Sequence, residues 1–287
     1  MSTLDARLHA YRVDLADARL EGKVEAARFV TGEIAHVAVP VADVCRKPSK
    51  NSSIDTQFLF GQDVTVFDRA DGYAWVQGMT DGYVGYIAES ELDAGRAPVT
   101  HVIKAPRTFV YSDADLRSPR LHPLSMGSRI DVAGTTEKRG TQYGILSTGG
   151  AVILGHLSAD GEVAQDYVSA AERLLETPYL WGGTSGFGID CSGIVQLSLA
   201  MAGRPFLRDT DMQERLGDDI DAGSHLENIR RGDLVFWRGH VAILQDATRI
   251  IHANGHTMSV ASEPLAEAIA RIAYLYGQPT AFRRVVG

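Results

Sequence analysis

Between residues 34 and 94 the chain is cut into apolar segments of four or five residues by turn signals, a spacing that suits a small antiparallel β unit. Segment 64–67 follows Gly61, segment 73–76 follows Asp71-Gly72, and segment 83–87 follows Asp81-Gly82. Asp-Gly between alternating segments favours hairpins, because both central residues of the tight turn need positive φ. A weaker echo runs over 98–158: the stretch from Leu124 to Val132 resembles that from Leu59 to Val66, and 151–154 resembles the last strand. Two copies of one small barrel, at 31–96 and 97–160, are the simplest account. Residues 1–30, with scattered Leu4, Leu8, Leu15 and Leu20, read as an irregular or helical arm. Ser158 to Gly161 reads as a linker. Beyond it the pattern turns helical at 167–175, which opens a third domain, 161–287.

Composition narrows the class of protein. Apolar residues make up 45% and charged residues 22% of 287, an ordinary globular balance that can bury a core in two or three domains. The net charge of -8 argues against a chain that mainly holds nucleic acid or anionic membrane. No apolar run near Met1 is long enough for a signal peptide, and no later one could span a bilayer. The expectation is a soluble cytoplasmic protein with neither nucleic-acid nor membrane partners. Cys45 and Cys191, the only cysteines, are too few and too far apart for a disulfide framework.

The chemistry concentrates after residue 177. Thr177-Pro-Tyr-Leu-Trp-Gly-Gly183 leads to Gly188-Ile-Asp-Cys-Ser-Gly193, and an almost wholly apolar run follows up to Gly203. This reads as a buried helix with Asp190 as N-cap, Cys191 in its first turn and a glycine at its end. A thiol there feels the positive end of the helix dipole, which is expected to lower its pKa toward the thiolate. A cysteine buried in a core helix is the competing reading. Residues 233–237 and 240–244 read as paired strands, and 248–253 as a return strand. If that last turn centres on Asp246, His240 and His252 lie directly opposite, with Cβ atoms about 5 Å apart. His240 would then be a base for Cys191, and His252 the ring that orients it. His256 is the rival for the third role, although Asn254-Gly255 suggests that the strand has already turned. A zinc site of Cys191, His240 and His252 is the other chemical reading. Neither Cys-x-x-Cys nor His-Glu-x-x-His spacing occurs, and no fourth ligand is evident, so no metal or other cofactor is expected.

The segment from Tyr179 through Asp-Cys-Ser-Gly, the Gly232-Asp-Leu-Val-Phe strand, Gly239-His240-Val and Ile251-His252-Ala together resemble the NlpC/p60 group of papain-like cysteine peptidases. The preceding β units resemble bacterial SH3 domains, an arrangement found in the dipeptidyl-peptidase VI branch. The resemblance implies an α+β fold: two small SH3-like β-barrels, then a papain-like catalytic domain with an N-terminal helix packed on an antiparallel sheet. It implies a γ-D-glutamyl-L-diamino acid endopeptidase that releases L-Ala-γ-D-Glu from murein peptides with a free amino-terminal L-alanine, as in cell-wall peptide recycling. Cys191 would be the nucleophile, His240 the base and His252 the third polar residue. Tyr179 and the Cys191 N–H would face the oxyanion, and Asp190 and Ser192 would line the pocket. Asp209, beside Thr210, would receive the substrate's α-amine, Tyr83 would close the pocket, and Asp55 would be the acidic residue from the first barrel. Two other readings stand against this one: a hydrolase of intact peptidoglycan, and a non-enzymatic peptide-binding protein.

Overall fold

The computed structural model describes residues 4–285. The chain divides after Asp160 into two compact units.

Unit 1 is almost entirely β. Its first half is a seven-stranded antiparallel sheet in the order 54–59, 41–45, 84–88, 73–78, 63–70, 33–37, 92–94. A register shift between Val66 and Asp68 bends its longest strand, Asp63–Ala70. The two outermost strands do not pair with each other, so among the described residues the sheet is open, and the expected closed barrel is not found. The second half repeats the pairing scheme strand for strand. His101–Ile103 pairs with Arg129–Ile130 and Leu157–Ala159, and Arg107–Tyr111 with Arg120–Ser125 and Ala151–Ile153. Thr141–Leu146 then joins Val132–Lys138 to Ala151–Ile153. The counterpart of the long bent strand is here broken at Asp131, which splits this half into sheets of three and five strands.

The halves meet at Gly61, where a Cβ would lie 2.2 Å from the carbonyl oxygen of Arg129, and at Phe60, which packs against the core of the second half. The amino-terminal arm forms no α-helix among its described residues. It makes one 3₁₀ turn, Ala18–Leu20, and a two-residue parallel pairing of Ala16–Asp17 with Phe29–Val30. Leu15 and Ala10 pack on Phe67 and Trp75, while the Arg12 guanidinium lies 4.4 Å from the centre of the Trp75 ring and bonds to Asp68.

Unit 2 is built on a six-stranded antiparallel sheet in the order 218–219, 281–284, 233–237, 240–244, 249–254, 259–264. Its strands alternate in the direction of their side chains. Val235, Trp237, Ala242, Leu244 and Ile250 form one core with Leu265, Ala268 and Ile272 of the helix Leu265–Tyr276. Val241, Ile243, Ile251 and Ala253 point to the other face and are equally buried. The helix Cys191–Met201, buried from Cys191 through Leu199, lies against strands 240–244 and 249–254. Among the described residues, no helix is long and apolar enough to cross a membrane.

Ile243 has no solvent exposure and sits in the middle of this sheet. Ile243→Ala is expected to cost about 2–5 kcal/mol, read as a lower urea midpoint of the unit 2 transition at unchanged slope.

Candidate active site

Asp190 organises the start of the cysteine helix. It is the N-cap, with extended backbone, and its Oδ1 accepts the Gly193 N–H at 2.7 Å. Its Oδ2 accepts the N–H of Gly182 at 2.9 Å, which ties the preceding loop to the helix. Arg208, only 1% exposed, donates to both oxygens at 3.0 and 2.7 Å and to Ser192 Oγ at 2.7 Å. Ser192 in turn donates to Asp190 Oδ1 at 3.2 Å. The glycines make this approach possible: a Cβ on Gly193 would sit 2.1 Å from the Gly183 carbonyl oxygen, and Gly182 has φ of +78°.

Cys191 Sγ lies 3.9 Å from Thr210 Oγ1 and 4.0 Å from the carbonyl oxygen of Gly239, the residue before His240. Burial, and then the Asp190 carboxylate, push the thiol up to about 11, with the Thr210 hydroxyl acting weakly the other way. The expected fall toward thiolate is therefore reversed. The helix end that would stabilise a thiolate already holds a carboxylate, and the sulfur is out of water.

The histidines sit on the strands His240–Leu244 and Arg249–Asn254. Ile243 pairs with Ile251, and the Gln245 N–H bonds to the Arg249 carbonyl, so the turn centres on Ala247 rather than Asp246. Asp246 braces this turn by accepting the N–H groups of Thr248 and Arg249. The same register carried onward places His252 opposite Ala242, so the two histidines are diagonal neighbours rather than opposed. They still share a face, and His240 Nε2 meets His252 Nδ1 at 2.8 Å. His252, fully buried, places its Nε2 2.7 Å from Glu263 Oε1, and Glu263 is ion-paired with Arg271.

Burial raises the Glu263 carboxyl, but the hydrogen bond and charge of His252, with Arg271, outweigh it and hold the pKa below the usual value. Burial first, then the charges of His252 and Arg271, push His240 down to about 3. Both shifts favour the uncharged forms, thiol and imidazole.

The remaining candidates fall in different places. Tyr179 is half-buried and bridges by backbone to Ile189, two residues before the cysteine. Burial first, then the neighbouring Cys191 and Asp190, hold its hydroxyl well above the ordinary value. Thr210 reaches the thiol, and Asp209 precedes it as backbone cap of the short helix Thr210–Gln213, accepting from Met212 and Gln213. Tyr83 and Asp55 belong to unit 1, where Tyr83 is buried and Asp55 is paired with Arg46 at 3.2 Å. His256 is exposed in the turn after Asn254, whose side chain accepts the N–H of His256 and Thr257. Both cysteines are free thiols. Among the described residues, no group of three or more His, Cys, Asp or Glu is placed to hold a metal ion. Arg208, Glu263 and Arg271 carry no motif signal, and only the fold brings them here.

Two outcomes follow from this geometry. Arg208→Met leaves the Asp190 carboxylate buried without its partner and is expected to cost about 3–5 kcal/mol in urea unfolding. The depressed His240 pKa means that the unfolded chain binds a proton the folded one does not. Its share of stability is complete above pH 6.5 and is lost as pH falls from 6.5 toward 3; His240→Asn should flatten that part of the stability profile.

Comparison with known proteins adds two matches along the chain. The profile described as "Bacterial dipeptidyl-peptidase Sh3 domain" matches residues 44–92, and that of the NlpC/P60 family matches residues 176–275. A γ-D-glutamyl-L-lysine dipeptidyl-peptidase of Bacillus cereus is 27% identical over 245 residues, covering 75% of this chain and 71% of the relative. Its namesake in Bacillus subtilis is 27% identical, covering 75% and 77%. Dipeptidyl-peptidase 6 of Lysinibacillus sphaericus is 25% identical, covering 76% and 86%. A crystal structure of an NlpC/P60 family protein from Bacillus cereus aligns with a TM-score of 0.72 at 21% identity, covering 88% of this chain and all of that one.

Proposed function

The chain is a cysteine peptidase of the NlpC/P60 family, and we propose that it cleaves the bond between γ-D-glutamate and the following diamino acid in murein peptides with a free amino-terminal L-alanine. The observation that supports the catalytic assignment is the 2.8 Å contact between His240 and His252, with Cys191 Sγ 4.0 Å from the carbonyl oxygen of Gly239, the residue before His240. With Nε2 of His240 so engaged, Nδ1 is the nitrogen left for the thiol. As Cys191 Sγ attacks the γ-glutamyl carbonyl, its proton passes to His240 Nδ1, so ionisation accompanies attack rather than preceding it. The Cys191 N–H and the Tyr179 hydroxyl, held protonated, donate to the oxyanion. His240 then protonates the departing amine, and a water deprotonated by the same ring releases L-Ala-γ-D-Glu from the thioester.

The substrate assignment is supported by the names of the relatives and by a pocket proposed from the sequence resemblance. In it Asp209 and Thr210 receive the α-amine, and Asp190 and Ser192 form a wall whose polar atoms turn to Arg208; the resemblance also gives Tyr83 and Asp55 substrate-binding roles. We read residues 31–96 and 97–160 as two SH3-like copies, a reading supported by their shared pairing scheme, and 161–287 as the catalytic domain. On this reading the enzyme acts in the cytoplasm on released peptides during wall recycling. The net charge of -8 supports that over adhesion to an anionic wall polymer.

A mass-spectrometric assay with L-Ala-γ-D-Glu-meso-diaminopimelate, its L-lysine counterpart and the N-acetylated forms tests the proposal. Wild type is expected to release L-Ala-γ-D-Glu from free peptides only, with Cys191→Ala and His240→Ala slower by roughly 10⁴-fold. Equal cleavage of acetylated peptides would remove the amine pocket. Cleavage of purified sacculi but not of peptides would replace this reading with an intact-wall hydrolase.

A further inference from the structure

We propose that Glu263 and Arg271 are positioning residues that fix the tautomers of both histidines and so leave His240 Nδ1 bare toward the thiol. The proposal rests on the Cys191–His240 reading above.

Neither residue is part of any motif that carried the catalytic assignment. Glu263 lies on the edge strand Ser259–Pro264, and Arg271 on the helix that follows it. The argument is a count of donors and acceptors along a line of contacts. A guanidinium can only donate, and an ionised carboxylate can only accept. Arg271 donates to Glu263 Oε1, and the Glu263 carboxyl is held below its usual pKa, so that oxygen is an acceptor. His252 Nε2, 2.7 Å away, must therefore carry a hydrogen. The proposal takes His252 in its neutral form, with one N–H, and that hydrogen on Nε2 leaves Nδ1 as an acceptor. His240 Nε2, 2.8 Å from it, must then be the donor, and His240 Nδ1 is left with its lone pair. A neutral base for a protonated thiol needs this tautomer and no other. Because His252 is fully buried, no water can substitute for Glu263 without rearrangement.

Both partners meet the same oxygen: Arg271 and His252 Nε2 each bond to Glu263 Oε1. In Glu263→Gln the amide oxygen can occupy that point and, as an acceptor, keep both bonds and the working order. In Glu263→Leu no acceptor remains, so nothing holds the hydrogen on His252 Nε2, and the rings are free to take the opposite tautomers. A side chain that mattered only for packing would not move the proton on His240 in this way.

The experiment reads the rate of Cys191 alkylation by iodoacetamide at neutral pH, peptide cleavage, and the imidazole ¹⁵N shifts of His240. Wild type should show an unprotonated Nδ1. Glu263→Leu should slow alkylation and kcat by about tenfold or more while KM changes by less than about twofold. Glu263→Gln should stay within about threefold of wild type, with Nδ1 still unprotonated. A hydrogen on Nδ1 in wild type, no loss in Glu263→Leu, or a Glu263→Gln variant as slow as Glu263→Leu would overturn the proposal. Alkylation and ¹⁵N shifts need no murein peptide, so a wrong substrate assignment leaves this test intact. If His240→Ala alkylates as fast as wild type, it is the Cys191–His240 reading that has failed.

Discussion

The catalytic unit turns on one buried carboxylate. Asp190 takes an N–H from the helix it caps, an N–H from the loop before it and two from Arg208, so three separate stretches of chain converge on two oxygens. A charge in such a place is tolerable only while every partner is present. Cys191 is the next residue, and its position is a by-product of that convergence. Thr210, two residues after Arg208, is brought against the sulfur by the same attachment. The glycine contact between 183 and 193 leaves the helix no room to slide.

Holding the cysteine this way has a chemical cost and an advantage. The capping carboxylate cancels the field that would ionise the thiol, and burial adds to the effect. The imidazole is kept neutral by the same loss of water. No charge is stored at rest between sulfur and ring. It appears when a carbonyl is attacked, where the Cys191 N–H and the Tyr179 hydroxyl are proposed to meet it. A site of this kind stays inert toward chance electrophiles more readily than one with a standing thiolate.

The sequence made some of this legible and hid the rest for definable reasons. The capped helix at 191, the strands at 233 and 240 and the return strand were readable because period and turn chemistry are local. The repeat in unit 1 was visible as an echo of 59–66 in 124–132, but whether its sheets close was not, since closure depends on pairing between the sequence-distant strands 54–59 and 92–94. The register of the histidines differs by one residue at the turn centre, because the Asp246 side chain fixes the loop at 246–248 with bonds that no apolar pattern records. Arg208, Glu263 and Arg271 carry no periodic or turn signal in the sequence. Their meaning lies in what they touch, and that is fixed only after the sheet is assembled.

The Asp246 turn also sets a rule for how this unit can vary. Strand side chains point alternately to the two faces of the sheet, so His252 faces the same way as His240 only when the turn keeps its parity. A loop shorter or longer by one residue, with the strands re-paired around it, would rotate His252 to the face occupied by Ile251 and Ala253. Two residues more or fewer would preserve the orientation and only lengthen or shorten the reach between the rings. A length change absorbed inside residues 246–248 leaves this pairing alone, whereas one that shifts the register keeps the two histidines on one face only in steps of two.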